Sequence, residues 1–124
     1  MSKQRAKGTR FESAVAEYLR LATGQDVDRN PLYGSGDRGD LRGLKIKGDP
    51  VTIECKNTKK LELSDYLNQV EAEAANNLSD YGVVVWKRPK IGIDNPIKTA
   101  DHAVIMTLST FTQLINAANN YEGQ

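Results

Sequence analysis

The chain has 124 residues, 39% of them hydrophobic, which is enough for one folded domain and leaves little room for a second. Its 17 basic and 16 acidic residues leave a net charge of +1, and that sum alone indicates no nucleic-acid partner. A single cysteine excludes an internal disulfide and a cysteine-rich zinc site, and a single histidine argues against a histidine-based metal site.

The chain shows no sign of membrane insertion or secretion. No segment approaches the roughly 20 consecutive apolar residues that a membrane-spanning helix needs. The basic, polar first ten residues are not followed by the apolar core of a secretory signal. We therefore expect no membrane contact and a cytoplasmic location.

The first helix is predicted from a capping pattern and an apolar stripe. Thr9 and Glu12 have the spacing of a capping box, and apolar residues recur at helical intervals from Phe11 to a stop at Gly24. Residues 1–8 are then a basic, flexible tail ahead of a domain spanning residues 9–118.

The rest of the chain alternates between strand and helix patterns. The predicted elements, in order, are a short strand near 27–31, a glycine loop at 33–43, strands at 41–46 and 51–56, a helix capped by Ser64 or Asp65, a buried strand at 82–86, a polar loop at 88–101, a strand at 103–106, a helix capped by Ser109 and a frayed end at 119–124. This order predicts one mixed α/β domain.

Charged residues are unevenly distributed along the chain. Four basic residues and no acidic one lie in the first ten positions, and residues 37–60 hold seven basic and four acidic residues. Acidic residues instead collect between Glu62 and Asp80. A basic face that neutralises phosphates can therefore coexist with a net charge near zero.

Asp40, Glu54 and Lys56 form the most informative group. Glu54 and Lys56 project from one face of a strand, and Asp40 begins the strand before it, so a hairpin turning near Gly48 brings all three together. Two carboxylates suit Mg²⁺, and the Cys55 carbonyl is a further oxygen ligand. With a nearby lysine, such a group suits phosphodiester hydrolysis. A surface hairpin with a cross-strand ion pair would give the same pattern.

In its order of elements the chain resembles the PD-(D/E)xK nuclease superfamily, and within it the small archaeal and phage-type Holliday-junction resolvases. The matching positions are Glu12, residues 35–40, Glu54 to Lys56, Gln69, and the strand from Gly82 that ends at Lys87. The resemblance implies a single restriction-endonuclease-like domain, a mixed central sheet flanked by helices with an αβββαβ core. One departure is Gly39, which occupies the place of the motif's loosely kept proline.

The resemblance also implies roles for these residues. Asp40 and Glu54 are expected to bind Mg²⁺, for which Mn²⁺ substitutes, and Lys56 is the expected catalytic lysine. Glu12 is expected near the metal, although it could act only as a helix cap, and Asp37 is a rival for Asp40. The expected DNA contacts are Lys3, Arg5, Lys7, Arg10, Ser35, Arg38, Gln69, Lys87 and Arg88.

The expected activity is metal-dependent cleavage of branched DNA, most specifically of four-way junctions. Symmetric cutting of a junction needs two active sites, so a homodimer is expected. If the chain is phage-encoded, its location is the host cytoplasm. The alternatives are a restriction or repair nuclease of the same superfamily and a non-catalytic DNA-binding module with the same fold.

Overall fold

The computed structural model describes residues 2–31 and 36–120. Its elements are α1 (Lys3–Thr23), β1 (Asp28–Arg29), β2 (Leu41–Arg42), β3 (Lys45–Ile46), β4 (Asp49–Lys56), α2 (Leu63–Asn76), β5 (Tyr81–Trp86), α3 (Pro96–Thr99), β6 (Ala103–Ile105) and α4 (Leu108–Asn119). The strands of these residues form one sheet in the order β1-β2-β4-β5-β6, with β3 paired to β4. Only β4 and β5 are parallel among these pairs, as expected where helix α2 crosses between them.

Helix α1 begins earlier than its sequence pattern predicted. Ser2 is the N-cap, and its side chain accepts a hydrogen bond of 3.0 Å from the Arg5 amide. The predicted Thr9–Glu12 capping box is therefore wrong, and the expected tail is helical from Lys3 onward. Lys, Gln, Arg and Ala are strong helix formers, so a good cap at Ser2 extends the helix by two turns. The predicted stop at Gly24 is confirmed by its left-handed φ of 72°.

The strand predicted at 41–46 is divided in two by Gly43. Leu41 pairs with Ile53, whereas Lys45 pairs with Pro50, so the first strand carries one extra residue. This is a β-bulge, and Gly43 takes a φ of 99° there. A Cβ at this position would collide with the Asp26 carbonyl, so the close approach of the chain to the segment before β1 requires glycine.

Two predicted helix caps are also wrong. Helix α2 begins at Leu63 after Glu62, which makes no side-chain cap, so neither Ser64 nor Asp65 is the N-cap. Thr107 rather than Ser109 caps α4, and its hydroxyl accepts from the Thr110 amide at 3.1 Å. The loop at 88–101 contains the short helix α3, and residues 121–124 of the predicted frayed end lie outside the described residues.

The sheet separates two apolar clusters. The larger joins α1 to one face and includes Phe11, Val15, Ile53, Val83 and Val85, whereas the smaller joins α2 to the other face around Tyr66, Val70 and Val84. Strand β5 is therefore buried on both faces, as its continuous apolar run predicted. Across residues 2–31 and 36–120, no helix has the length and apolar character needed to cross a membrane.

Candidate active site

Strand pairing brings Asp40 and Glu54 together. Because Leu41 pairs with Ile53, the residue before Leu41 lies opposite the residue after Ile53. The Asp40 amide donates to the Ile53 carbonyl at 2.7 Å, which extends the β2–β4 ladder to this point. The Cys55 amide in turn donates to Asp40 Oδ2 at 2.7 Å and holds that carboxylate against β4.

The two oxygens of Glu54 have different surroundings. Oε2 accepts a hydrogen bond from Gln69 Nε2 at 3.0 Å and lies 3.3 Å from Lys56 Nζ. Oε1 is buried and has no hydrogen-bond partner among the described residues. Lys56 is held a second time by the ring of Tyr66, whose centroid is 5.3 Å from Nζ. The site therefore fixes the carboxylate and the ammonium while leaving one carboxylate oxygen free.

Burial and crowding raise the pKa of both acids. Burial is the largest cause of the rise in the pKa of Glu54, followed by the charge of Asp40 and the neighbouring Glu73. Burial also raises the pKa of Asp40 to about 6, with further increases from Glu12 and Glu73 and an opposing effect of the Cys55 amide. The site thus concentrates negative charge in a poorly solvated place, where a bound cation would offset it.

The donor set fits a divalent cation. Asp40 and Glu54 each use one carboxylate oxygen for hydrogen bonds from the protein, which leaves the other oxygen of each for a ligand. Within the described ranges, no three His, Cys, Asp or Glu side chains form a ready-made metal centre. Two carboxylates with open positions suit Mg²⁺, which keeps several of its waters. That the Cys55 carbonyl is a further ligand stays a prediction.

Asp37 and Asp40 occupy different places. Asp37 Oδ1 accepts from the Gly39 amide at 2.9 Å and thereby closes the turn before β2. Only Asp40 takes the position across the ladder from Glu54. The geometry therefore favours Asp40 over its rival as the acid beside Glu54.

Glu12 lies inside α1 and faces a cleft beside Asp40. Its Oε1 accepts from Arg29 Nε at 3.1 Å, so it orients an arginine rather than capping a helix. The cleft has a volume of about 580 Å³. It is lined by Arg5, Gly8, Thr9, Glu12, Arg29, Asn30, Pro31, Asp37, Gly39 and Asp40. Two arginines, Arg5 and Arg29, therefore line a cleft that leads to Asp40, the predicted metal-binding acid.

The predicted DNA contacts on α1 and the glycine loop fall in different places. Lys3, Arg5, Lys7 and Arg10 all lie on α1, but only Arg5 among them lines the cleft beside Asp40. Arg10 lines a separate cleft with Ser13 and Ile93. Arg38 lines a third, smaller groove of about 260 Å³ together with Arg42. Ser35 lies outside the described residues.

The predicted DNA contacts after β5 lie next to β4, where the Lys87 amide donates to the Lys56 carbonyl at 2.9 Å, but their side chains bind the following loop. Lys87 Nζ donates to the Ile91 carbonyl at 2.7 Å, and Arg88 Nη1 donates to the Asp101 carbonyl at 3.0 Å. Both side chains therefore brace the loop before β6. His102 supports the same loop, since its Nδ1 accepts from the Arg88 amide and its ring packs edge-on against Phe11.

Gln69, by contrast, is part of the site, together with two residues that the sequence pattern did not single out. Gln69 Nε2 donates to both Glu54 Oε2 and Glu73 Oε2 at 3.0 Å. The sequence pattern did not predict Glu73 and Tyr66 as site residues because each fits an ordinary amphipathic helix. Their spacing of three and four residues from Gln69 puts them on its face of α2, which is a usable signal once Gln69 is placed at the site.

Comparison with protein families gave one match. The model of the family described as "Phage putative PDDEXK endonuclease" matches residues 3–88, which is more than half of the chain. This match confirms the predicted superfamily and its mixed α/β fold, whereas the narrower likeness to junction resolvases stays a prediction. Searches of curated proteins and of solved structures gave no match.

Proposed function

The chain belongs to the family described as "Phage putative PDDEXK endonuclease", and on that premise we propose that it is a divalent-metal-dependent endodeoxyribonuclease that cuts branched DNA. Membership of this family supports nuclease activity in general. The metal, the substrate shape and the assembly are our own proposals.

The proposal rests on the different surroundings of the two Glu54 carboxylate oxygens. Gln69 and Lys56 occupy Oε2, whereas the buried Oε1 has no donor among the described residues. Asp40 Oδ2 is tied to the Cys55 amide in the same way. We propose that the remaining oxygens hold Mg²⁺ or Mn²⁺. The cation would polarise the scissile phosphate and offset the charge that develops there.

Lys56 is the proposed catalytic lysine. Its ammonium is pinned between Glu54 and the Tyr66 ring, and about a fifth of its side chain (21%) remains exposed. A cation held in this way is preorganised to donate to a phosphate oxygen without first reorganising solvent. Its removal should therefore affect turnover more than substrate binding.

Two adjoining grooves that contain arginines give the DNA a path to the site. Arg5 and Arg29 line the cleft beside Asp40, and Arg38 and Arg42 line the smaller groove. Asn30 borders both grooves, so the two grooves adjoin. Guanidinium groups along such a path would position the phosphate backbone without reading sequence.

A homodimer would supply the two active sites that symmetric junction cutting requires. Helix α4 presents Leu108, Phe111 and Ile115 along one face, with exposures of 80%, 50% and 44%. The sequence of α4 contains no charged residue, so two copies of this face would meet without like-charge repulsion. We propose that this apolar face pairs with its copy, inside an interface that typically covers about 800 Å² on each partner.

A cleavage assay with four variants tests the catalytic proposal. Glu54→Gln, Asp40→Asn and Lys56→Gln should each lower cleavage by at least about 10²-fold in Mg²⁺, as expected for loss of a main electrostatic group. Glu71→Gln, an exposed acid on α2, is the matched control and should cut at the normal rate. Normal cutting by Glu54→Gln or Lys56→Gln would refute the mechanism.

A substrate panel separates branched-DNA cleavage from its alternatives. We expect four-way junctions to be cut faster than flaps, linear duplex and single strands. Equal rates on all four would point to a restriction or repair nuclease without shape selectivity. DNA binding without any cleavage would point to a non-catalytic module.

Sedimentation tests the proposed dimer. It should show a dimer that Leu108→Lys converts to monomer, and a monomeric native protein would refute the proposed pairing through α4.

A further inference from the structure

Glu73 is an acid that the proposed active site contacts but that the proposed reaction does not use. It lies on α2 with 3% of its surface exposed, one helical turn after Gln69. Its Oε2 accepts one proton of the Gln69 amide, whose nitrogen also donates to Glu54 Oε2. One side-chain amide therefore ties the two glutamates together.

The outer oxygens of both glutamates lack donors. Glu54 Oε1 and Glu73 Oε1 are buried, and neither has a hydrogen-bond partner in the described part of the chain. A buried carboxylate oxygen without a donor costs several kcal/mol unless a proton or a cation compensates it. Two such oxygens on neighbouring acids point to one shared compensating charge.

A divalent cation would offset the negative charge that gathers around Glu73. Glu54, Glu73 and Asp40 gather at one place, and Lys56 is the amino group that the structure pairs with Glu54. Glu73 is close enough to Asp40 for its charge to act on that acid. A third carboxylate would thus strengthen the attraction of the site for a divalent cation.

We propose that Glu73 is a supporting acid beside the divalent-cation site, where it adds negative charge and holds Gln69 in the position that orients Glu54. This inference rests on the proposed metal-dependent function. Glu73 acts as a positioning residue, since Gln69 donates to both carboxylates and so couples the position of Glu73 to that of Glu54. The motif formed by Asp40, Glu54 and Lys56 gives it no role.

Calorimetric titration of the full chain with Mg²⁺ and Mn²⁺ tests the proposal. Glu73→Gln should weaken cation affinity by about 10–100-fold, the usual cost of losing a group that supports a metal ligand. Glu71→Gln makes the same change at an exposed position of the same helix and should bind as the native protein does. Glu54→Gln should lose binding altogether.

Thermal unfolding provides a second readout that a purely structural role would not produce. In EDTA, Glu73→Gln should be at least as stable as the native protein, because a buried charge has been removed. Added Mg²⁺ should raise its melting temperature less than it raises that of the native protein. A lower melting temperature in EDTA with an unchanged Mg²⁺ increment would overturn the proposal and make Glu73 a structural residue.

The pattern of results separates this inference from the proposed function. Native affinity in Glu73→Gln, with binding abolished in Glu54→Gln, overturns the role of Glu73 and leaves the proposed function standing. Absence of cation binding by the native protein overturns both. If Glu73→Gln does not fold, Glu73→Ala removes both the charge and the hydrogen bond from Gln69, and affinity equal to native would likewise overturn the proposal.

Discussion

Gly39 is the position where a single added carbon should disturb the site most directly. It immediately precedes Asp40 and has a φ of 93°. An added Cβ would lie 2.8 Å from the Ile53 carbonyl oxygen and 3.1 Å from Thr52 Cγ2, both on the central strand β4. Gly39→Ala should therefore push the Asp40 backbone away from β4. The same φ explains why the motif's proline is absent here, since proline requires a φ near −65°.

Gly48 is a matched control for the unfolding free energy that Gly39→Ala should lose. Gly48 has a φ of 88°, but an added Cβ there meets no atom within 4 Å. Gly48→Ala should cost about 1–2 kcal/mol of unfolding free energy for the left-handed backbone alone. Gly39→Ala carries that cost and an overpacking cost of about 1–3 kcal/mol. Any loss of chain entropy in the unfolded state is common to both variants and cancels in the difference.

Urea unfolding and a cleavage assay measure the two consequences. The unfolding free energy of Gly39→Ala should fall below that of Gly48→Ala by about 1–3 kcal/mol. Cleavage by Gly39→Ala should fall by about 10²-fold under conditions where it is folded, since catalysis tolerates little misplacement of a reacting group. Gly48→Ala should cut normally. Equal losses of stability in the two variants, or normal cleavage by Gly39→Ala, would refute the reasoning.

Three further predictions concern DNA binding, pH dependence and helix capping. Replacing Arg38 and Arg42 by Gln should reduce the slope of log affinity against log salt by about 0.9 for each phosphate that is no longer neutralised, measured by fluorescence anisotropy on duplex DNA. Burial and the charges of nearby basic residues lower the pKa of His102, against the opposing effects of the Gly92 carbonyl and Asp101. The stability that neutral His102 gives is therefore present above its unfolded pKa of about 6.5 and lost as pH falls. Below about pH 6.5, the melting temperature of the native protein should fall relative to that of His102→Asn. Ser2→Ala should cost about 0.5–2 kcal/mol and lower helicity by circular dichroism, because it removes the α1 N-cap.

A specific result would contradict each of these three predictions. Lys45→Gln removes a charge from the exposed strand β3, and an equal change in salt slope would show that Arg38 and Arg42 act only through net charge. A gap in melting temperature that is constant between about pH 8 and about pH 5 would show that His102 does not titrate differently in the folded state. Unchanged helicity in Ser2→Ala would place the start of α1 nearer Thr9.

The local pattern of the chain predicted most elements, and the misplaced caps of α1 and α4 share one cause. A capping residue must be followed by a chain that continues as a helix, and Ser2, Thr9, Thr107 and Ser109 all satisfy that local test. In α1, most of residues 3–8 are good helix formers, so the helix extends back to the cap at Ser2. The capping rule alone therefore does not choose between two candidate caps a few residues apart.

The balance of 17 basic and 16 acidic residues is also explained by position. The order of elements, the placing of Glu54 and Lys56 on one face of β4, and the choice of Asp40, Glu54 and Lys56 as the site all follow from local pattern. Tertiary packing was needed to show that Gln69 bridges Glu54 to Glu73, that Glu12 holds Arg29, and that the Lys87 and Arg88 side chains bind the loop before β6. Period and spacing are local properties of the chain, whereas the partners of a side chain depend on how separate elements pack against the sheet.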